Sequence, residues 1–147
     1  MRIISLISVS FIVITLFFLF SLFDKKENLL LLTKNNMTLY LEIANTQKQR
    51  EYGLMNRKSM PENHGMIFIF PHAEILRFWM KNTLIPLDMI FLNHHRVVAI
   101  FFNIPPCKEQ MNPCPSYGPN IQADEVIELN AGVAKKLTII NGDILPT

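Results

Sequence analysis

The sequence predicts a β-rich α+β fold: a small curled antiparallel sheet or barrel with two short helices, behind an N-terminal transmembrane helix. Three observations support this prediction. Residues 3–23 form an unbroken apolar run, the rest of the chain is divided by Pro, Asn, Gly and Asp into short apolar or alternating segments, and two short segments carry helix start signals. Because the chain has 147 residues, half of them apolar, one compact domain and one accessory segment account for its length.

The apolar run at the N-terminus is long enough to cross a membrane. It contains no charged side chain, and about 20 residues suffice for a helix to span the hydrocarbon core. A cleaved signal peptide has a shorter apolar region of roughly 7–15 residues and small residues before its cleavage site, whereas this run ends in bulky Leu and Phe. We predict an uncleaved signal anchor over residues 1–23, with a cleaved signal peptide as the alternative, a linker over residues 24–36 and one globular domain over residues 37–147.

The orientation of this anchor is predicted from two opposing signals. Three lysines in residues 25–34 outnumber Arg2, which by the positive-inside rule would keep the domain in the cytosol. The two cysteines, Cys107 and Cys114, lie in a proline-rich loop that could close a small disulfide ring outside the reducing cytosol, with unpaired thiols or a metal site as alternatives. We predict a single-pass membrane protein with its globular domain on the periplasmic or extracellular side.

The overall charge and the motif content exclude several classes of function. Fourteen Lys or Arg stand against twelve Asp or Glu, a balance that gives no field for gathering nucleic acid. The sequence has no Gly-rich phosphate loop, nucleophile elbow or paired-cysteine zinc spacing, and the eight methionines are spread as in an adaptable core. No nucleic acid, metal or cofactor is therefore expected.

The first elements of the domain are a strand and a short helix. Residues 37–44, "MTLYLEIA", alternate between apolar and polar side chains, which predicts a strand with one solvated face. Thr46 and Gln49 have the spacing of a capping box, which would satisfy two free amides at the start of a helix of about two turns that ends near Gly53.

The remaining elements are short strands, one hairpin turn and a second helix. "NHHR", residues 93–96, is a plausible turn between two strands, and Asn130 would be the N-cap of a short helix in "NAGVAKKL". In "EVIEL", Glu128 is predicted on the solvated face. The segments predicted as strands are residues 66–70, 77–82, 88–93, 96–104, 125–129 and a final strand near 141–145.

Three blocks of the sequence resemble a known family. "REYGLMNRKSMPENHGMIFIF", "FWMKNTLIPLDMIFL" and "VIELNAGVAKKL" followed by "NGD" are similar to the signature blocks of domain-of-unknown-function family 192, also called uncharacterised protein family 0127. The resemblance covers roughly residues 38–145. It implies a compact β-rich domain, often behind a signal or membrane segment in bacteria and archaea, with no established activity.

The segment "FWMKNTLIPLD", residues 78–88, is where a ligand site is expected. If it begins as an extended strand, Trp79 and Lys81 share one face while Phe78 and Met80 share the other, which is the better candidate for the core. An indole flanked by hydrogen-bonding groups is a common way to hold a sugar ring or another flat polar ligand.

A proline shapes the second half of this segment. Pro86 has no amide hydrogen for a ladder, so the chain should leave the sheet before Asp88 enters the next strand. Alternatively, Trp79 fills the core, Asp88 accepts amides in the turn and Asn82 caps it. The residues predicted to bind a ligand, including two arginines assigned to the first short helix, are Trp79, Lys81, Asn82, Thr83, Asp88, Arg50 and Arg57.

Three functions from different classes agree with these observations. The first is an envelope domain, anchored by its N-terminal helix, that binds a small polar or carbohydrate-like ligand or an envelope protein through the Trp79 corner. The second is a hydrolase or lyase that acts on envelope carbohydrate with Asp88 as acid or base, which ranks lower because such chemistry usually needs a second carboxylate or a nucleophile. The third is a purely structural or assembly role.

Overall fold

The structure, a computed structural model, describes residues 29–107, residue 111 and residues 113–147. The predicted membrane anchor at residues 1–23 lies outside the described residues. Within those residues, none of the helices has the length and apolar character needed to cross a bilayer.

The described residues form eight strands and two short helices, so the predicted β-rich fold with two short helices is confirmed. In chain order they are β1 (Leu29–Lys34), β2 (Met37–Ala44), α1 (Gln47–Tyr52), β3 (His64–Glu74), β4 (Phe78–Trp79), β5 (Leu87–Asn93), β6 (Arg96–Ile104), β7 (Ser116–Tyr117), β8 (Ala123–Asn130) and α2 (Val133–Lys136).

The main sheet is open and mixed, which corrects the predicted antiparallel sheet or barrel. Its strands lie in the order β1-β2-β3-β8-β5-β6, and β4 and β7 form a separate two-stranded sheet. Strands β2 and β3 are parallel, whereas every other neighbouring pair in the main sheet is antiparallel. The cause is the connection between β2 and β3. It contains α1 and is long enough to bring the chain back to the end of the sheet at which β2 begins, so β3 runs in the same direction as β2.

Strand β1 lies in the segment predicted as a linker, and this corrects the predicted start of the domain. All six residues of β1 pair with β2, and the hairpin turns at Asn35 and Asn36, whose φ angles are 49° and 62°. Two positive φ angles match a two-residue turn of the type that suits the twist of paired strands, and asparagine tolerates them. The folded domain therefore includes the second half of the predicted linker.

The sheet separates two hydrophobic cores, one on each face. On β8, Ile127 and Leu129 face the core that contains Val133 of α2, which we call the α2 face. Val126 faces the other core, which contains Leu54 just after α1, and we call this the α1 face. Because side chains alternate along a strand, each residue of β8 can be assigned to one face by its position.

Local signals in the sequence predicted some element ends correctly and others wrongly. The capping box at Thr46 and Gln49 is present, and α1 ends at Gly53. The N-cap of α2 is Gly132, not Asn130, because the Asn130 amide instead donates to the carbonyls that precede β3 at residues 60 and 61. The predicted final strand is reduced to one isolated bridge between Arg96 and Ile144.

The disulfide predicted between Cys107 and Cys114 is present, with 5.8 Å between the two Cα atoms. It closes the loop between β6 and β7. Since β7 pairs with β4, this loop leads directly into the small sheet that carries Phe78 and Trp79.

Candidate functional site

A cleft of about 590 Å³ opens on the α1 face of the sheet. Its walls come from α1 and the turn after it, the second half of β3, and β4, while one residue of β8 reaches it from the centre of the sheet. The residues that line it are Gln47, Arg50, Glu51, Tyr52, Gly53, Leu54, Met55, Phe68, Phe70, Pro71, His72, Glu74, Arg77, Phe78, Trp79, Thr83 and Glu128.

Glu128 forms the floor of this cleft. It lies on β8 between Met66 of β3 and Met89 of β5, which are its register partners on the two neighbouring strands. The side chain is 5% exposed and has no hydrogen bond or ion pair with any residue that the structure describes. A buried carboxyl group normally has a hydrogen-bond partner. The lack of such a partner distinguishes Glu128 from the other buried acids among the described residues, Asp88 and Glu125.

Burial controls the protonation of Glu128. Desolvation of the charged form raises the pKa of this carboxyl from 4.5 to about 8, with no compensating cation or donor. The group is therefore mostly neutral at pH 7. A neutral carboxyl has one O–H donor and one carbonyl acceptor side by side, both available to a molecule in the cleft.

Aromatic side chains form much of the cleft wall. Phe78 packs edge-on against Phe68, with ring centroids 4.9 Å apart, and against Phe70 at 6.3 Å. The Arg50 guanidinium lies 4.9 Å from the centre of the Phe70 ring and donates to the Ile69 carbonyl, which holds α1 against β3. The wall is thus a fixed apolar surface with a cation at its edge.

Trp79 lies at the mouth of the cleft. It is 52% exposed, and Ser116 of β7 is its partner in the small sheet. The Lys81 ammonium lies 5.2 Å from the centre of its ring. Phe78 and Met80 point inward, and Met80 is 1% exposed, so the predicted alternation along this segment is observed.

Comparison with known proteins assigns the chain to a protein family. The model of DUF192, described as Uncharacterized ACR, matches residues 30–147. The chain belongs to the DUF192 family. The match begins inside β1, in agreement with the pairing of that strand to the sheet.

Two solved structures resemble this DUF192 domain. A protein of Sinorhizobium meliloti, named as a candidate transcription regulator, is 35% identical with a TM-score of 0.69, over 78% of this chain and 88% of that one. A protein of unknown function from Novosphingobium aromaticivorans is 30% identical with a TM-score of 0.71, over 81% of this chain and 84% of that one. No protein with a curated description matches the chain.

The structure brings some of the residues predicted to bind a ligand together in the cleft of the DUF192 domain and places the others elsewhere. Trp79, Thr83 and Arg50 line the cleft. Lys81 and Asn82 are exposed and are not part of its lining.

Arg57 lies outside the cleft because it is paired with Glu42 of β2. Both of its terminal nitrogens donate to the two carboxylate oxygens of Glu42. The hydrogen bond from Arg57 holds the pKa of Glu42 below its usual value. This arginine therefore ties the loop after α1 to the sheet.

Asp88 lies on the opposite face of the sheet, so it does not share a concavity with Trp79 as predicted. Its carboxylate is completely buried and accepts three backbone N–H groups: from Asn103 of β6 at 2.8 Å, and from Gly132 and Ala134 at the start of α2 at 2.9 and 3.0 Å. The alternative interpretation, in which Asp88 accepts backbone amides, is the one observed. The carboxylate stabilises the free N–H groups of a helix start.

Sequence reasoning missed Glu128, which was expected on the solvated face. The sequence did contain a signal, because Val126, Ile127 and Leu129 leave no alternation around this glutamate. A run of apolar residues on both sides of an acid is typical of a central strand covered on both faces. Such a strand requires the acid to be buried.

Proposed function

We propose that this DUF192 domain binds a small polar ligand with a flat apolar face in the cleft above Glu128. The observation that carries this proposal is the buried carboxyl group with no described partner at the floor of an open, aromatic-lined cleft. Among the described residues no fully buried side-chain oxygen lacks a hydrogen bond, so the Glu128 oxygens are accessible from the cleft that this residue lines. A hydrogen bond that a ligand supplies there contributes about 0.5–1.5 kcal/mol. The cleft volume of about 590 Å³ lies in the range of small-molecule sites.

The positions of the aromatic residues support a flat ligand. Trp79 has half of its surface exposed at the mouth, and the Phe70 and Phe78 rings are fixed in the wall. Exposed aromatic faces at a pocket entrance stack on sugar rings and on heterocycles alike. Thr83, which is buried and lines the cleft, adds a hydroxyl group.

A binding role is favoured over the hydrolase or lyase alternative. That alternative used Asp88 as the acid or base, but both oxygens of its carboxylate accept backbone amides on the α2 face. Proton transfer requires a group within hydrogen-bond reach of the substrate. Among the described residues, the α1 face supplies no paired nucleophile and base, and its features support recognition.

The membrane location is also part of the proposal. The apolar run of residues 3–23 supports an anchor, and the Cys107–Cys114 disulfide supports an oxidising compartment on the periplasmic or extracellular side. The proposed partners are the membrane and a small polar ligand or an envelope protein.

Trp79 provides a direct test of ligand binding because it is the only tryptophan in the chain. In the full chain, prepared in mild detergent and labelled with ¹⁵N, its indole N–H gives a single signal. A library of sugars, lactams, amines and organic acids is titrated, and we expect at least one class to shift this signal saturably. Calorimetry should then show weaker binding to Trp79→Ala and unchanged binding to Phe102→Ala, a matched exposed aromatic outside the cleft. If no compound binds, the proposal fails.

A further inference from the structure

The surroundings of Glu128 restrict the chemistry of the group that could meet it. Its register partners Met66 and Met89 are buried and offer no strong hydrogen-bonding group. Ile127 and Leu129, its neighbours along β8, point to the other face of the sheet. The carboxyl group can therefore be satisfied only from the cleft.

We infer that the ligand meets Glu128 with an uncharged edge that carries an N–H donor beside a carbonyl or ring-nitrogen acceptor, as in a flat lactam or a related nitrogen heterocycle. This inference rests on the proposed binding function and specifies its ligand class. The neutral carboxyl presents a donor and an acceptor side by side, and such an edge pairs with both at once. Two hydrogen bonds then reach a carboxyl group that has no partner among the described residues.

The charges of the cleft favour an uncharged ligand. The titratable and charged groups that line it, besides Glu128, are Arg50, Glu51 and Tyr52 from α1, His72 and Glu74 from β3, and Arg77 just before β4. The two guanidinium groups and the two exposed carboxylates carry equal and opposite formal charge. The cleft thus has no formal excess of either sign with which to attract an ion.

The aromatic rings are poorly placed to bind a ligand cation. Arg50 lies over the Phe70 ring at 4.9 Å, and Lys81 lies over the Trp79 ring at 5.2 Å. A ligand ammonium would meet rings that already interact with cations, and Arg50 would repel it. The protein's own side chains therefore occupy the positions that a cation-binding aromatic cage needs to keep open.

A flat heterocycle also matches the walls. The aromatic residues that line the cleft are Tyr52, Phe68, Phe70, Phe78 and Trp79. A planar ring system places apolar faces against such walls while its edge carries the polar groups. A ring edge can therefore point at Glu128 while a ring face lies against the aromatic wall.

The test compares four probes on the full chain in detergent. They are 2-quinolone, N-methyl-2-quinolone, 2-naphthylmethylamine and methyl β-glucopyranoside, with affinity measured by calorimetry and by the Trp79 indole signal. We expect 2-quinolone to bind, and its N-methyl derivative to bind at least about tenfold more weakly because one hydrogen bond is lost. The affinity for 2-quinolone should fall about tenfold per pH unit above about 8, where Glu128 loses its proton.

Two variants separate Glu128 from His72 and the other titratable groups of the cleft. Glu128→Gln keeps a donor and an acceptor, so it should retain 2-quinolone binding within about threefold and lose the pH dependence above 8. Glu128→Leu keeps a buried side chain without either group, and it should weaken binding at least about tenfold. Retained pH dependence in Glu128→Gln would overturn the inference.

The outcomes distinguish this inference from the proposed function. The inference fails if both quinolones bind equally, if the amine binds more tightly and its affinity rises with pH, or if the sugar binds while no lactam does. In each of these cases a ligand still occupies the cleft, so the proposed function stands. If no member of the wider library binds, the proposed function fails, and the inference fails with it.

Discussion

Asp88 and Glu128 are buried carboxyl groups on neighbouring strands, and their different surroundings give them different roles. In the register of β5 and β8, Asp88 is opposite Leu129 and Met89 is opposite Glu128, so the two acids point to opposite faces of the sheet. Asp88 accepts three backbone N–H groups, whereas Glu128 has no partner among the described residues. The first carboxyl stabilises the fold, and the second is available to a ligand.

Replacing Asp88 by Asn should destabilise the domain. The amide group keeps one acceptor but turns an N–H₂ donor toward backbone N–H groups, so at least one charge-assisted hydrogen bond is lost. We expect the free energy of unfolding to fall by about 2–4 kcal/mol. The measurement is denaturant unfolding of the full chain followed by Trp79 fluorescence. Glu128→Gln is the matched control, and an equal loss of stability in both variants would contradict the assignment of these roles.

The protonation of Glu128 should make stability depend on pH. Its pKa is 4.5 in the unfolded chain and about 8 in the folded one, so the folded state binds the proton more tightly. This stabilisation is complete below pH 4.5 and is lost as the pH rises through about 8. At about 1.4 kcal/mol per pKa unit, the loss has an upper bound of about 5 kcal/mol.

Unfolding curves of the wild type and of Glu128→Gln between pH 5 and 9 test this dependence. We expect the wild type to lose stability relative to the variant as the pH rises toward 8, with no further relative loss above it. The effect of Glu42 is opposite in sign, since its lowered pKa gives stability that is lost as the pH falls. Parallel curves for the two proteins would show that burial does not raise the pKa of Glu128.

At the scale of single elements, alternation and turn chemistry gave correct predictions for several segments, although the hairpin turn at Asn35 and Asn36 was missed. The capping box of α1, the turn at His94 and His95 and the inward direction of Met80 all follow from local spacing. The N-cap of α2 could not be predicted in this way, because Asp88 is 44 residues away from Gly132 in the chain. A cap supplied by a distant strand leaves no local signal.

The two faces of strand β4 and the residue after it should respond differently to truncation. Met80 is buried in the core of the α1 face, so Met80→Ala should lower the free energy of unfolding by about 2–5 kcal/mol. Trp79 is 52% exposed, and Trp79→Ala should cost under about 1.5 kcal/mol while weakening ligand binding. Circular dichroism follows unfolding in both variants. Equal destabilisation would mean that the indole belongs to the core and would refute its role at the mouth of the cleft.

At the scale of the whole molecule, the types of the secondary-structure elements were predicted better than the order and direction of the strands in the sheet. The parallel pairing of β2 and β3 depends on where the α1 connection returns, and no local pattern encodes this. The burial of Glu128 likewise depends on the central position of β8 in the sheet, with β3 and β5 as its neighbours on either side. Three of the seven residues predicted to bind a ligand, Trp79, Thr83 and Arg50, line one cleft, and side-chain chemistry was enough to predict them. The floor of that cleft could be located only from the strand order.

The last prediction concerns the location of the whole chain. A single-pass anchor at residues 1–23 with the disulfide-bonded domain outside the cytosol is expected from the apolar run and from the Cys107–Cys114 pair. Alkaline phosphatase, which becomes active only after export, is fused after Thr147, and green fluorescent protein, which folds in the bacterial cytosol, is fused at the same position as the matched control. We expect a membrane-bound, active phosphatase fusion and a green fluorescent protein fusion without fluorescence, because we weigh the Cys107–Cys114 disulfide above the positive-inside rule. A membrane-bound chain with inactive phosphatase and bright fluorescence would place the domain in the cytosol, where the disulfide would not persist.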